Sequence, residues 1–463
     1  MTRGIGWGLL LLALAGSGTV SAQSDGDLSL IPPDSQSPPK VSDSRSGQNL
    51  YLENALTAVS LRNELPVPAQ PSYDWQERLL LDVRDSWQIG RAVRLIFSDR
   101  LNLRAESDLS LPEEESIVND FRETYLEWRL TDQTYLALGR INLKSGIALG
   151  YNPTDYFKAR TVSEPLSADP TVLREDRLGT AMMRLQHIWR GGSVTLAYAP
   201  RLHRQSPLYS NTALPSFDPM LGRTNSDNRL LVKSTIDLSP DLSPEVLIYH
   251  DSRGTRAGLN LSMTLGPSVV AYLEESVARR RTLIAEALQF GHDTGTLPAR
   301  APDELPSSPG RSLENELAVG ASYTTANRVT WNLEYHLNQR AFTSRDWDRW
   351  FEIGSASGVS PASANELWYI RAYALDQEEQ STEQAAFVRA DWTDAFGINL
   401  ELSGFANVDL RDGSGEAQGE AEYYLSNAWT VGFLAAADFG SRRSDFGSLP
   451  TAYSFLLSFR RYF

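Results

Sequence analysis

Segments of about ten residues in which apolar and polar side chains alternate recur along this chain, separated by clusters of Gly, Pro, Asn and Asp. Val329, Trp331, Leu333, Tyr335 and Leu337 fall on one side of such a segment, with Thr330, Asn332, Glu334, His336 and Asn338 on the other. Ile398, Leu400, Leu402, Ala406 and Val408 oppose Asn399, Glu401, Ser403, Asn407 and Asp409 in the same way. Ala417, Ala421, Tyr423 and Leu425 oppose Gln418, Glu420, Glu422 and Ser426, and Ala257, Leu259, Leu261, Met263 and Leu265 oppose Asn260, Ser262 and Thr264. A helix would mix the two sets within one turn, so these segments are strands. Beyond the amino-terminal region no stretch reaches the ~18 consecutive apolar residues of a membrane helix.

Alternation alone does not separate a soluble sandwich from a membrane wall. The repetition of an uncharged face on strand after strand does, together with aromatic residues near strand ends: Trp128, Tyr135, Trp189, Trp331, Trp392, Trp429 and Tyr453. A backbone crosses lipid only with its polar groups satisfied internally, as a helix or as a closed barrel. The expectation is therefore an all-β fold, a transmembrane antiparallel up-and-down β-barrel of about 18 strands (roughly 16–20) between Trp75 and Phe463, with long extracellular loops.

The two ends add a destination. Arg3 precedes an apolar core from Ile5 to Ala15, and Val20-Ser21-Ala22 offers small residues before Gln23, the pattern of a cleaved secretory leader. That core is well short of the roughly 20 residues needed to span a bilayer as a helix. The expected organisation is a signal peptide over 1–22, a flexible Pro- and Ser-rich periplasmic segment over 23–49, and a barrel over 50–463. Tyr453, Phe455, Leu457 and Phe459 share one face of the final strand and Phe463 follows them, which in an exported chain points to the outer membrane.

Composition narrows the function. The chain has no Cys, which suits an oxidising compartment and removes thiolate metal sites and cysteine nucleophiles. A formal net charge of -15 argues against nucleic acid as a partner. His250-Asp251-Ser252 groups three triad residue types, but neighbours on a strand point to opposite faces, so the triplet assembles no catalytic unit. Gly-x-Ser-x-Gly and phosphate-loop motifs are absent from the sequence. The expectation is a non-enzyme without cofactor or metal. Acidic runs at Asp108, Glu113, Glu114 and Glu115, and at Asp376, Glu378 and Glu379, are either solvated faces or sites for divalent cations, without a calcium-loop spacing.

Two features bear on a lumen. Arg78 and Arg84 share a face in one segment, and Arg94, Arg100 and Arg104 share a face in the next, opposite Val93, Leu95, Phe97, Leu101 and Leu103. These arginines, with Glu123, Glu127 and Arg129, are the candidate pore lining. Either they attract anionic solutes, or they pair across strands with Asp82, Glu106, Glu123 and Glu127. The second feature is a loop containing Asn152, Asp155, Tyr156, Phe157, Lys158 and Arg160. Asn152-Pro153 initiates a turn and Asp155 accepts local backbone bonds, so this loop is either an inward-folded constriction or a structural turn against the wall.

Leu138-Gly139-Arg140-Ile141-Asn142-Leu143-Lys144-Ser145-Gly146, followed by Gly150-Tyr151-Asn152-Pro153-Thr154-Asp155-Tyr156-Phe157-Lys158, resembles porin-like Gram-negative outer-membrane β-barrels, the alginate-export type and related channels. The resemblance covers the leader, this stretch and the last strand. It implies an outer-membrane channel for passive passage of small solutes, anionic or amphipathic, with an envelope exporter or lipid- and polysaccharide-trafficking component as the alternative. Its implied surroundings are outer-membrane lipid and lipopolysaccharide. Its implied partners are the barrel-assembly machinery, which would read Tyr453, Phe455, Leu457, Phe459 and Phe463, and a homo-oligomer or envelope transport complex.

Strand phase leaves one conflict. Connections near 105–119, 144–177, 200–226 and 279–312 are long and belong on the outside, since periplasmic turns are short. That phase requires a further strand near Leu50 to Arg62, yet counting back from the last strand gives the opposite phase by Leu367. Either a strand hides between Phe342 and Ala364 or an early segment is not a strand.

Overall fold

The computed structural model describes residues 50–69, 73–107, 117–163, 167–208, 217–239, 241–298, 303–305 and 310–463. The leader, the Pro-rich segment and the acidic run at Asp108 to Glu115 lie outside the described residues.

The alternating segments form eighteen strands. The first five are β1 (Leu50–Leu61), β2 (Trp75–Ile89), β3 (Val93–Glu106), β4 (Ile117–Thr131) and β5 (Thr134–Ile141). There follow β6 (Thr180–Trp189), β7 (Gly192–Ala199), β8 (Arg229–Ile236), β9 (Glu245–Asp251), β10 (Gly254–Thr264) and β11 (Val269–Arg280). The last seven are β12 (Ser312–Thr324), β13 (Val329–Asn338), β14 (Gln384–Trp392), β15 (Leu400–Asp409), β16 (Gly415–Ser426), β17 (Trp429–Phe439) and β18 (Thr451–Tyr462). Each pairs antiparallel with the next, as in β2 with β3 and β16 with β17. β1 closes the cylinder on β18, Tyr51 opposite Tyr462 and Ser60 opposite Tyr453. Closure leaves no sheet edge, the condition for strands to cross lipid.

The outer face is predominantly apolar, with isolated acids such as Glu275 and Asp85. Leu56, Leu126, Ile248, Leu333, Phe433 and Phe455 are all exposed, a surface that only acyl tails solvate at low cost. Tyr135, opposite Arg129 and on the face of Ala137, points inward, whereas Trp87, Trp128, Trp189, Trp331, Trp392 and Trp429 stand at the rim of short turns, and Trp75, Tyr198, Phe439 and Tyr453 at the opposite rim. Those are the two aromatic girdles of a bilayer-spanning wall.

The strand phase is now settled. β1 exists where the long-loop phase required it, and Phe342 to Ala364 holds no strand. The whole connection 339–383 is one long loop carrying two helices, α4 (Ser344–Gly354) and α5 (Pro361–Asp376), after the short α1 (Pro170–Glu175) and α2 (Leu221–Thr224) and the longer α3 (Leu283–Thr294) in earlier loops. Leu367 therefore lies on a helix, which removes the phase conflict. One of the eighteen strands, β1, precedes Trp75, so the span from Trp75 to Phe463 holds seventeen.

The start signals of α4 and α5 are local. Thr343 and Asp346 form a capping box, Thr343 N donating to the Asp346 carboxylate at 2.9 Å and Asp346 N to Thr343 Oγ1 at 3.3 Å. Ser360 caps α5, and Pro361 occupies its first turn, where a missing N–H costs nothing. With α3 these helices bury a core of their own, including Trp347, Trp350, Phe351, Leu367, Ile370 and Phe290, which Val67 joins from the β1–β2 connection. The long-loop end of the barrel thus carries a helical cap with a packed interior.

Candidate functional site

The inner face of the barrel is built from two kinds of wall. On β2 and β3 the arginines do face inward, and each has an acid. Arg78 reaches Glu53 at 2.8 Å, Arg94 reaches Glu127 at 3.2 Å, and Arg104 lies 3.9 Å from Glu106. Arg100 binds Asp82 at 3.1 Å and also Asp176, while Arg84 lies 3.4 Å from Asp82 and 3.7 Å from Asp176. Glu123 accepts the Asn142 backbone N–H at 2.8 Å. Arg129 stands exposed at the short-turn rim and donates to the Arg91 carbonyl at 3.3 Å. Strict alternation hides one member of the group. The register of β3 with β4 slips between Ser98 and Asp99, so the bulge turns Arg122 inward, where it meets Asp82 at 2.7 Å.

The described residues of the loop 142–179, which are 142–163 and 167–179, lie inside the barrel. Asn152, Asp155, Tyr156, Phe157, Lys158 and Arg160 are all buried. The inward entry depends on Gly146, whose φ of 79° favours glycine and whose side-chain position is filled by the Glu274 carboxylate. Glu274, on β11, accepts the N–H groups of Ile147 and Ala148, the latter at 2.6 Å. Glu334, on β13, accepts those of Leu149 and Gly150 at 2.7 and 2.9 Å. Two buried carboxylates thus hold four consecutive amides, which is how an irregular backbone is tolerated away from bulk water.

Beyond this clamp the loop turns to the apolar side. Tyr156 stacks on Tyr249 with ring centroids 4.9 Å apart and bonds Ser276 at 3.1 Å; the absence of a side chain at Gly258 admits its hydroxyl. Phe157 meets Tyr249 edge-on at 5.9 Å, and both rings pack with Ala137, Ala197, Leu231 and Leu247. Lys158 lies 4.5 Å from the centre of the Tyr151 ring and donates to the Asn152 carbonyl at 3.0 Å. Arg177 bonds Asp155 at 2.6 Å, and Arg160 bonds Asp376 at 2.8 Å. The loop then reaches other strands: Ser163 bonds Asp120 on β4, Asp169 pairs with Arg389 on β14, and the Ala168 N–H reaches Gln418 on β16 at 3.1 Å. Arg140 ends β5 by holding the Gly179 carbonyl at 2.8 Å.

The acidic run after α5 is neither solvated nor free. Asp376 also takes Arg223 at 2.7 Å, Glu378 pairs with Arg177, and Glu379 lies 3.8 Å from Lys158 and accepts the Tyr151 hydroxyl at 2.9 Å. These carboxylates are counter-ions that join the cap to the inner loop. Glu286, on α3, plays the same part. Burial alone would push its carboxyl up, but the guanidiniums of Arg280, Arg340 and Arg253 outweigh that and hold it well below the usual carboxylate range.

The cap is also tied to the far side of the rim. Arg371 lies 5.1 to 5.2 Å from the rings of Trp347, Trp350 and Trp368, and its guanidinium binds Asp445 at 2.5 Å and Ser448 at 2.9 Å in the β17–β18 connection. Trp368 Nε1 donates to the Pro68 carbonyl at 2.8 Å.

The inner face of β15–β18 and β1 is different. Glu401, Glu416, Glu420 and Glu422 face inward, and their inner-face neighbours Ala436, Ser454, Leu456 and Thr57 are only half-buried. On β17 and β18 the short side chains of Gly432, Ala436 and Ser454 alternate with Leu434 and Leu456, and Glu416, Glu420 and Glu422 stay partly accessible. In the catalytic-looking triplet, His250 bonds Thr255 at 2.9 Å, Asp251 accepts the Arg253 N–H at 2.8 Å, and Ser252 bonds Asp227, so its members share no bond.

No family model matches the chain, and no curated protein does. Solved structures match in fold. Pseudomonas aeruginosa OccK8 (OprE) is 11% identical, with 90% of this chain and 97% of that chain covered at a TM-score of 0.50. Acinetobacter baumannii OccAB4 is 9% identical over 89% of this chain and 96% of that one, also at 0.50. At such identity the likeness is one of architecture: the chain shares the closed antiparallel β-barrel of these proteins.

Proposed function

We propose that this chain is an outer-membrane channel for passive passage of small solutes. The observation that carries the reading is a closed cylinder with a lipid-compatible exterior whose interior holds charged walls and one inserted loop. In it, 142–179 narrows the lumen, with Asn152, Asp155, Tyr156, Phe157, Lys158 and Arg160 as its fixed core, and the helical cap shapes the entrance. Arg78, Arg84, Arg94, Arg100, Arg104, Glu123 and Glu127 line one side as a neutralised set, with Arg129 at its periplasmic end. On this reading lipopolysaccharide and acyl tails bathe the outer belt, and the barrel-assembly machinery engages the exposed face of β18. The reaction repertoire is that of a pore, without chemistry on the solute.

The test is single-channel recording of the refolded protein in a planar bilayer. Discrete conductance steps are expected. Their absence from protein that migrates as a folded barrel on an unheated gel would overturn the reading. Co-purification of a stoichiometric periplasmic or inner-membrane machine would favour an export component instead.

A further inference from the structure

The arginines of β2–β4 and the loop 142–179 direct attention to one half of the lumen, and that half is electrically closed. Arg78, Arg84, Arg94, Arg100, Arg104 and Arg122 each have a carboxylate partner, and the loop covers the inner faces of β5–β13, touching β16 at Gln418. The opposite wall is the one left facing water.

That wall is acidic along its height. On β16, Glu416 lies toward the long-loop end, Glu420 at the middle and Glu422 toward the short-turn end, with Glu401 opposite Glu422 and Asp438 opposite Glu416. The cations facing it include Arg460, Arg389, Arg62 and, at the long-loop end, Arg371, and all are engaged. Arg460 binds Glu53 at 2.7 Å and Glu422 at 3.0 Å, Arg389 binds Asp391 at 2.6 Å and Asp169, and Arg62 donates to the carbonyls of Leu449 and Asp438. Among the described residues Glu416 and Glu420 have no cationic partner within 4.0 Å. The wall carries further oxygens without partners. Thr430, 2% exposed on the same inner face, has a hydroxyl with no bond among the described residues, and the amide oxygen of Asn407, opposite Glu416, is likewise unbonded. A surface with surplus acceptors and few donors solvates cations and repels anions, and it acts strongly where low-dielectric walls confine the field.

We propose that the conducting path runs along the inner face of β15–β18 and selects small cations, with Glu420 setting the preference at mid-height and Glu416 at the outer end. This rests on the channel reading and names its solute class. Leu434 stands directly opposite Glu420, with Leu456 beyond it, but the diagonal neighbours Gly432, Ala436, Ser454 and Ser458 are small and leave room to either side of that pair. The arginine pairs of β2–β4 serve instead as a rigid abutment for the loop, through Asp176.

Reversal potentials in a potassium chloride gradient test this directly. Wild-type channels are expected to pass potassium severalfold better than chloride, and Glu416→Gln with Glu420→Gln to bring the ratio toward parity. Ser454→Lys, which adds a cation to the same wall without touching either carboxylate, should lower the ratio as well and serves if the double variant does not fold. A wild-type ratio at or below one, or a ratio that neither change moves, would overturn the proposal while leaving a channel. No conductance at all from folded protein would instead remove the channel reading, and this inference with it.

Discussion

The wall formed by β5–β13 and the wall formed by β15–β18 with β1 have the same exterior and opposite interiors. Outside, both show an apolar alternating face that lipid demands at every position around the circumference. Inside, Ala137, Ala197, Leu231, Leu247, Glu274 and Glu334 are sealed beneath the loop 142–179, whereas Glu420, Ala436, Ser454 and Leu456 remain in contact with water. Carboxylates occur on both inner faces but do different things. Glu274 and Glu334 spend their lone pairs on backbone amides of the loop, and Glu416 and Glu420 face the lumen without a cation. A carboxylate's role in a barrel is thus set by what the loops bring to it, not by its place in the strand pattern.

The comparison breaks most visibly if the inserted loop is removed. Deleting 152–160 takes away the Tyr156 and Phe157 contacts with Tyr249 and the links to Ser276 and Asp376. Single-channel conductance should rise at least about twofold, because a long ordered loop inside a barrel sets its narrowest section. Unchanged conductance would mean that current never passes the covered wall. Next in size is Arg371→Ala, which leaves Asp445 buried at 2% exposure without its cation. Breaking a buried pair on one side costs about 3–5 kcal/mol, here charged against docking of the cap. Limited proteolysis within 355–360, between α4 and α5, should accelerate sharply while the barrel stays folded.

A smaller change probes the clamp itself. Glu334→Gln keeps the size of the side chain but offers one acceptor oxygen to Leu149 N, Gly150 N, Tyr272 Oη and His336. An unsatisfied buried donor costs about 1–3 kcal/mol, so hydrogen exchange at the Leu149 and Gly150 amides should speed up about tenfold for each ~1.4 kcal/mol lost. Glu420→Gln on the other wall should leave those amides unaffected.

The exterior was legible in the sequence because lipid imposes one rule on every strand, and eighteen repetitions make that rule plain. The interior was not, because its partners come from distant sequence. Ala197, Leu231 and Leu247 are inward residues that a wet lumen would not select; their reason is Tyr156 and Phe157, contributed from another loop. Arg122 escaped because a bulge breaks the alternation that would reveal it. The phase conflict at Leu367 has its source in α5, where Leu367-Trp368-Tyr369-Ile370 is apolar without interruption and a helix buried nearly all round loses its 3.6-residue signature. The Ser360-Pro361 start and the Thr343/Asp346 capping box were the signals that would have identified the cap. The inner arginines are legible by facing, and the cross-strand acids Asp82 and Glu127 are legible as their partners, but Asp176, which reaches Arg100 from the loop 142–179, is not.

The gentlest way to sharpen the contrast is to add the same bulk to each wall. Ala197 is fully buried against the loop, so Ala197→Leu overfills a packed interior and should cost about 1–3 kcal/mol. Ser454→Leu adds comparable volume on the open wall, where water and not a side chain is displaced, and its effect on stability should stay within about 0.5 kcal/mol. Urea unfolding in detergent micelles, followed by tryptophan fluorescence, reads both. Conductance should respond in the reverse order, falling for Ser454→Leu and holding for Ala197→Leu, since only the former narrows a water-filled path. Equal destabilisation by the two changes would show that the second wall is packed too, and the route along β15–β18 would then have no room for an ion.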